Sequence, residues 1–308
     1  MKRRKVIADL NTRMKRRVIN RADKQTSWTS HASPLQQAGH RKVFNFLRAA
    51  LLETTQVQIT HLPIRIPKLP PEFQRFKIVQ LSDVHHSSFV SEAEIVNAAE
   101  RANELQPDLV VLTGDYVSHS PDFIPGCARA LSRLRAKHGV YAVLGNHDHW
   151  TDGALMRSAL EANGIRVLCN EHVRLERDGA QICLAGVDDM MVKLDDMKTA
   201  LAHTYRHETR ILLAHNPALI REAARAGVDL MLSGHTRWTN QLEVTCPAQG
   251  YGTLALAASP KPQIYARACG AGNTQLYVNR GFGTVVVPLR YGCTPEILLS
   301  NFPNNISP

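Results

Sequence analysis

Short apolar runs alternate with amphipathic segments along the chain from Phe76 onward. Each run ends in polar residues, and the runs cover 77–82, 108–113, 139–145, 210–217 and 228–236. Their near-continuous Val, Ile and Leu content predicts strands that are buried on both faces. The segment 91–106 begins with a capping box, Ser91 and Glu94, and its apolar residues recur at helical spacing: Ile95, Ala98, Ala99, Ala102 and Leu105. The pattern therefore predicts strands that alternate with helices.

Two further signals complete the predicted architecture. Helical periodicity returns over 153–163, and Asp178-Gly179 separates two strand-like runs as a hairpin turn would. Alternating strands and helices predict an α/β sheet with helices on both faces. Ligands of such sheets bind beyond the carboxyl ends of the strands. We therefore expect the functional residues at those ends.

Charge is distributed unevenly along the 308-residue chain. Residues 1–24 hold ten Lys or Arg against Asp9 and Asp23, and so carry most of the total net charge of +10. The composition predicts a disordered basic arm over 1–41, an amphipathic segment and linker over 42–73, and a folded domain over 74–303. Contact of residues 1–24 with an anionic membrane is an open alternative. Nucleic acid is a disfavoured partner, because these residues include no aromatic ring for base stacking.

The sequence contains no predicted export or membrane-spanning signal. The apolar segment 42–55 is far shorter than the roughly 20 residues that a membrane helix needs, and no apolar signal-peptide core follows the basic start. The six cysteines form no C-x-x-C pair and are typical of a reducing compartment. We therefore expect a cytoplasmic protein, with peripheral attachment to the inner membrane as the alternative.

Polar residues with metal-binding side chains follow five of the predicted strands. Singly, each has an ordinary explanation, such as a polar strand end, a turn or a buried histidine. Together they supply carboxylate, amide and imidazole groups, a mixture that suits Mn, Fe or Zn. The residues are Asp83, His85, Asp115, Asn146, His147, His215 and His235.

The motifs "DVH", "GDY", "GNHD", "AHNP" and "GHT" stand in this order across roughly 74–300 and resemble those of the calcineurin-like metallophosphoesterase family. The stretch 276–299 is similar to the closing strands of its bacterial, membrane-associated phosphodiesterase branch, which includes enzymes resembling UDP-2,3-diacylglucosamine hydrolases. The resemblance implies a sandwich of two mixed sheets flanked by helices. It also implies two divalent transition-metal ions and a phosphoester substrate, with a lipid or nucleotide-sugar phosphoester among the options.

The resemblance also assigns roles to residues. Hydrolysis of a phosphodiester or pyrophosphate would use a hydroxide activated by both metals. His147 would donate a proton to the leaving oxygen, and Asp148 would orient or charge its imidazole. His86 and His149 directly follow motif residues, and this adjacency alone predicts that they lie at the rim or behind the ligands. One metal would take Asp83, His85 and Asp115, and the second would take Asp115, Asn146, His215 and His235.

Arg237 stands where the family has a second histidine after "GHT", and a guanidinium has no lone pair for a cation. One reading is that Arg237 clamps the substrate phosphate beside a single metal. The favoured reading is a frameshift over 237–265. Residues 237–241 can be encoded by CGG-TGG-ACA-AAT-CAA. If the two bases CA are restored before these codons, the same bases are read in a shifted frame and encode His-Gly-Gly-Gln-Ile. That string continues the family motif, and the register returns before Asn273.

These features are compatible with three functions. The favoured function is a metal-dependent phosphodiesterase or pyrophosphatase, or a descendant of one with a damaged first metal site. The second is a non-catalytic binding module that keeps the fold and one metal. The third is a nucleic-acid-binding protein led by the basic arm, which the nearly neutral remainder of the chain disfavours.

Overall fold

The computed structural model describes residues 53–54, 56–235, 265–266, 274–285, 290 and 293–303. The predicted basic arm (1–41) and the start of the amphipathic segment (42–52) lie outside the described residues. So do Arg237 and nearly all of the stretch 237–265.

Twelve strands and five α-helices make up the described part of the chain. The strands are β1 (Gln58–Pro63), β2 (Lys77–Leu81), β3 (Leu109–Thr113), β4 (Val140–Val143), β5 (Arg166–Val167), β6 (Glu171–Arg177), β7 (Ala180–Gly186), β8 (Arg210–Leu213), β9 (Leu230–Ser233), β10 (Tyr265–Ala266), β11 (Gln275–Val278) and β12 (Glu296–Asn301). The helices are α1 (Glu92–Glu104), α2 (Ile124–Leu131), α3 (Asn146–Ala162), α4 (Met197–Ala200) and α5 (Ile220–Ala226). Short 3-10 helices occupy Pro71–Phe73, Pro121–Phe123, Met190–Val192 and Pro217–Leu219.

The strands form two mixed six-stranded sheets. The first has the order β1-β12-β2-β3-β4-β5, and the second has the order β10-β11-β9-β8-β7-β6. Strands β2, β3 and β4 are parallel neighbours in the first sheet, and β7, β8 and β9 are parallel neighbours in the second. The predicted α/β fold class with two mixed sheets and flanking helices is confirmed.

Three apolar layers explain why these strands are buried on both faces. In β3, Leu109 and Val111 face the layer between the two sheets, whereas Val110 and Leu112 face helices α1 to α3. Successive side chains of a strand point to opposite faces, so one continuous apolar run serves both layers. A third layer covers the outer face of the second sheet with α4 and α5.

The local predictions for α1 and the hairpin are also confirmed. Ser91 Oγ accepts a hydrogen bond from the Glu94 backbone amide, and the Glu94 carboxylate accepts one from the Ser91 amide, which completes the capping box. Strands β6 and β7 pair in antiparallel fashion around Asp178 and Gly179. Both turn residues have positive φ, at 50° and 85°, as a two-residue hairpin turn of this type requires.

Two predicted boundaries differ from the structure. The sequence predicts an amphipathic segment and linker over 42–73, but β1 pairs in parallel with β12 at the edge of the first sheet, so the fold includes residues before 74. Helix α3 begins at Asn146 rather than near 153. It is interrupted at Asp152 (φ −173°), whose carboxylate accepts a hydrogen bond from the Leu155 amide at 3.0 Å. Periodicity revealed only the part after this break.

No helix within the described ranges is long and apolar enough to cross a membrane. Within these ranges, Cys127, Cys169 and Cys183 are free thiols.

Candidate metal centre

The carboxyl ends of five strands converge on one site between the sheets. From the first sheet, β2 leads to Asp83 and His85, β3 leads to Asp115, and β4 leads to the start of α3. From the second sheet, β8 and β9 lead to the two remaining histidines. The structure thus brings together Asp83, His85, Asp115, His215 and His235 from segments far apart in the chain, and it places His147 against His85. Asn146 is the residue before His147, at the start of α3.

Several of these residues have left-handed backbone conformations, which set the direction of their side chains. Asp83, His85, Asp115 and His235 have φ values of 52°, 47°, 59° and 71°. Such conformations are unfavourable for residues with a Cβ and persist where surrounding contacts enforce them. Here the Asp83 amide donates to the Gly114 carbonyl at 2.9 Å, and the His85 amide donates to the Asp115 carbonyl at 3.0 Å. The strand ends therefore hold one another in place.

Asp115 lies at the middle of the site. Its Oδ2 is 3.4 Å from Nε2 of His85 and 3.2 Å from Nε2 of His215. Two groups of ligand atoms, each within 4.8 Å of one another, share this residue. They are Asp83–His85–Asp115 and Asp115–His215–His235.

The histidines are oriented by their second ring nitrogens. Nδ1 of His215 donates to the Thr113 carbonyl at 2.7 Å, so Nε2 is the ring nitrogen that faces Asp115 and is the one that could bind a cation. Nδ1 of His85 is hydrogen-bonded to the Ser118 hydroxyl at 2.6 Å. Nδ1 of His235 lies 3.2 Å from Nε2 of His215. All three imidazoles present a nitrogen to the centre of the site.

The residues present fit a divalent cation. Nε2 of His85 and Oδ1 of Asn146 are buried and have no hydrogen-bond partner among the described residues. Native proteins rarely leave such groups unsatisfied, because an unmade hydrogen bond costs roughly 1–3 kcal/mol. Oxygen and imidazole donors pointing into one buried space are the ligand set of Mn, Fe and Zn. A cation held by His85 would satisfy its Nε2, and the buried Oδ1 of Asn146 is a further candidate ligand atom.

The electrostatics of Asp115 and His215 favour a charged pair. Burial opposes ionisation of Asp115, but His215 and His85 outweigh it and hold the pKa of that carboxyl well below its usual range. Burial likewise opposes a charge on His215, yet Asp115 raises the pKa of His215 to about 10. The site therefore stabilises positive charge beside Asp115, and a cation can take the place of the His215 proton.

Asp148 is wholly buried beneath the loop that carries Asp115. Its two carboxylate oxygens accept hydrogen bonds from the backbone amides of Asp115, Tyr116, Val117 and Gly145. Burial, followed by the charge of Asp115, raises the pKa of Asp148 to about 7. These contacts favour a role in holding the loop. The predicted orientation of the His147 imidazole by Asp148 stays a prediction.

His147 lies at the open side of the centre. Its backbone amide donates to Oδ1 of Asp115 at 2.9 Å, and its ring centroid is 5.0 Å from that of His85. The ring centroid of Trp150, which is 59% exposed, also lies 5.0 Å from that of His147. His147 is itself partly exposed, so it can reach a molecule bound at the centre.

Sequence reasoning missed several supporting residues. Ser82 donates to Oδ2 of Asp83 at 2.6 Å, and Ser118 holds His85. His149, predicted at the rim, is hydrogen-bonded to Asp188 at 2.5 Å, and His86 donates to the Phe123 carbonyl at 2.8 Å. Only adjacency to a motif had marked the last two. The serines carried no signal, because serine is common at strand ends and in turns.

The loop after β11 also supports the first group of ligands. The amides of Phe282 and Gly283 donate to the carbonyls of Ser82 and Asp83 at 2.8 and 2.7 Å. A Cβ on Gly283 would lie 1.9 Å from the Val84 carbonyl oxygen, so only glycine permits this approach. Residues beyond 273 therefore return to the fold at the metal centre.

A two-sheet α/β protein with a buried carboxylate–imidazole centre at its strand ends defines a class of metal-dependent proteins. The sequence profile described as calcineurin-like phosphoesterase matches residues 76–237, more than half of the chain. An uncharacterized metallophosphoesterase, YkuE of Bacillus subtilis, is 33% identical over 81% of this chain and 86% of its own length. The chain belongs to the calcineurin-like metallophosphoesterase family.

Two further proteins are similar to parts of this chain. A bovine transmembrane protein with a metallophosphoesterase domain is 30% identical over 78% of this chain, which corresponds to 55% of that protein. Among solved structures, a 5'-nucleotidase precursor from Thermus thermophilus matches 75% of this chain and 56% of its own chain, with 15% identity and a TM-score of 0.44. The narrower branch resembling UDP-2,3-diacylglucosamine hydrolases stays a prediction.

Proposed function

We propose that the protein hydrolyses a phosphodiester or a pyrophosphate at two divalent cations that share the Asp115 carboxylate. Metal-dependent hydrolysis of phosphoesters is the activity of the family. The observation that supports the finer proposal is the position of Asp115, whose Oδ2 lies between His85 and His215 at 3.4 and 3.2 Å. One carboxylate can in this way serve two neighbouring ligand groups.

The two cations would be held by different residues on either side of Asp115. Asp83 and His85 complete the group on one side of Asp115, and Asn146, His215 and His235 complete the group on the other. When bound, two cations supply Lewis acidity, which makes water nucleophilic near neutral pH and neutralises charge on the phosphoryl oxygens. The low exposure of the ligands strengthens these electrostatic interactions.

His147 is the proposed general acid. Its imidazole lies against His85 and is partly open to solvent, so it can meet the leaving oxygen of a bound phosphoester. Proton donation to that oxygen favours bond cleavage most when the leaving group is a poor one. The backbone hydrogen bond from His147 to Asp115 fixes its distance from the centre.

The first ligand group is the weaker of the two in this proposal. It contains only Asp83, His85 and the shared Asp115, because Arg237 stands where the family motif has a histidine. A permanently charged guanidinium offers no lone pair and repels a cation. We therefore propose that the chain binds its first cation weakly, and the frameshift reading of 237–265 accounts for this residue.

The test compares two aspartates at opposite ends of β3. Asp115 follows the strand at the metal centre, whereas Asp108 precedes it and binds the Lys77 amide and the Lys137 ammonium at 2.9 and 3.0 Å. Hydrolysis of bis-p-nitrophenyl phosphate is measured with added Mn²⁺, together with metal content by mass spectrometry. Asp115→Asn is expected to lose both, and Asp108→Asn to keep both. Undiminished hydrolysis and metal content in Asp115→Asn would refute the proposal.

A further inference from the structure

Asp189 lies beside the metal centre but belongs to neither ligand group. Strand β7 ends at Gly186, and the Val187 amide extends its pairing with β8 by donating to the Leu213 carbonyl at 3.1 Å. Asp189 follows two residues later. Because β7, β8 and β9 are parallel neighbours, Asp189 is placed at the same sheet edge as His215 and His235.

One carboxylate oxygen of Asp189 is unsatisfied. The side chain is 1% exposed, and its Oδ1 accepts a hydrogen bond from the Met191 amide at 2.8 Å. Its Oδ2 is buried and has no hydrogen-bond partner among the described residues. Burying a carboxylate oxygen without a partner costs several kcal/mol as an order of magnitude, so a native site supplies one.

The adjacent acid, Asp188, is fully engaged. Its carboxylate is hydrogen-bonded to His149 at 2.5 Å, accepts from Cys169 at 2.9 Å and accepts from the Asp189 amide at 2.8 Å. The two neighbouring aspartates therefore differ in how far their carboxylate oxygens are hydrogen-bonded. Asp188 joins α3 to the loop after β7, and Asp189 keeps an oxygen for another partner.

The metal centre is within electrostatic reach of Asp189. Burial raises the pKa of Asp189, and the charge of Asp115 acts in the same direction, while His215 and His235 act against it. The three charged residues that affect the pKa of Asp189 in this way form one ligand group, Asp115–His215–His235. A cation in that group would stabilise the carboxylate of Asp189 as well.

We propose that Asp189 is an outer-sphere carboxylate of the Asp115–His215–His235 cation site, where Oδ2 accepts a hydrogen bond from the hydration shell of the cation. This inference rests on the second cation site of the proposed function. Asp189 is not a direct ligand, because the ligand atoms grouped within 4.8 Å of one another, over the residues that the structure describes, do not include it. It is a positioning residue that acts on the cation through water.

The test measures Mn²⁺ affinity by calorimetry, with no substrate present. Asp189→Asn keeps an oxygen for the Met191 amide but puts a donor in place of Oδ2. Outer-shell substitutions lower metal affinity roughly 10- to 100-fold, and this loss is expected for the tighter Mn²⁺ site. The control is Asp196→Asn, since Asp196 caps α4 in the same manner, by accepting from the Thr199 amide at 2.9 Å, but is fully exposed to solvent.

A second variant keeps the inference testable if Asp189→Asn does not fold. Asp189→Ser retains a hydroxyl that can cap the Met191 amide and lacks Oδ2 altogether. The same loss of Mn²⁺ affinity is expected. Unchanged Mn²⁺ affinity in a folded Asp189 variant overturns this inference and leaves the proposed function standing. Absence of Mn²⁺ binding in the unmodified protein overturns both.

Discussion

Two glycines with nearly the same positive φ provide a comparison that measures the crowding at the metal centre. Gly114, directly before Asp115, has φ +88°, and Gly179, in the hairpin turn, has φ +85°. A Cβ on Gly114 would lie 2.7 Å from Nδ1 of His215 and 2.7 Å from the Gly145 amide nitrogen. A Cβ on Gly179 would meet nothing within 4 Å. Alanine at either position therefore suffers the same backbone strain, and only alanine at Gly114 adds a clash.

The expected free energies follow from these two contributions. A left-handed conformation costs alanine about 1–2 kcal/mol, which is the whole expected effect of Gly179→Ala. Overpacking adds roughly 1–3 kcal/mol, so Gly114→Ala should lower the free energy of unfolding by about 2–5 kcal/mol. Urea unfolding of the metal-free proteins measures both. Gly114→Ala should also weaken Mn²⁺ binding, because His215 must move. A Gly114→Ala protein no less stable than Gly179→Ala, with normal Mn²⁺ affinity, would refute this reasoning.

Three further predictions concern the catalytic side chains and the stretch after Thr236. His147→Gln should slow hydrolysis most for phosphodiesters with poor leaving groups and leave metal content unchanged, and equal losses across a leaving-group series would contradict its role as an acid. Asp148→Ala should lower the free energy of unfolding by roughly 3 kcal/mol or more in urea, because it leaves four buried amides without their acceptor, and Asp148→Asn should cost less. Arg237→His alone should restore little Mn²⁺ binding or turnover. Replacing 237–265 by the amino-acid sequence encoded in the alternative reading frame should restore both. Full recovery from Arg237→His alone would exclude the frameshift reading.

The sequence predicted those parts of the fold whose signals are local. The capping box at Ser91 and Glu94 and the turn at Asp178 and Gly179 are set by residues within a few positions of each other, and both are confirmed. The polar ends of the buried strands also predicted that Asp83, His85, Asp115, His215 and His235 lie close together, because parallel strands bring their carboxyl ends to one edge. Order along the chain was sufficient for that inference.

Features that depend on distant partners were not predicted. Strand β1 is a strand because β12, more than two hundred residues later, pairs with it, and no local pattern reveals that partner. The first turns of α3 carry polar site residues in place of an apolar stripe, so periodicity could not find them. The burial of Asp189 likewise depends on where β7 lies beside β8. Asp189 was for this reason not recognised among the candidate residues.

Binding of Mn²⁺ to the unmodified protein, Asp115→Asn and Asp83→Asn tests the shared carboxylate most directly. Calorimetric titration of the unmodified chain should show one tight and one weak site. Asp83→Asn should remove the weak site and keep the tight one, since Asp83 belongs to only one ligand group. Asp115→Asn should weaken both sites together. Tight Mn²⁺ binding that survives Asp115→Asn unchanged would contradict the account of a centre built on Asp115.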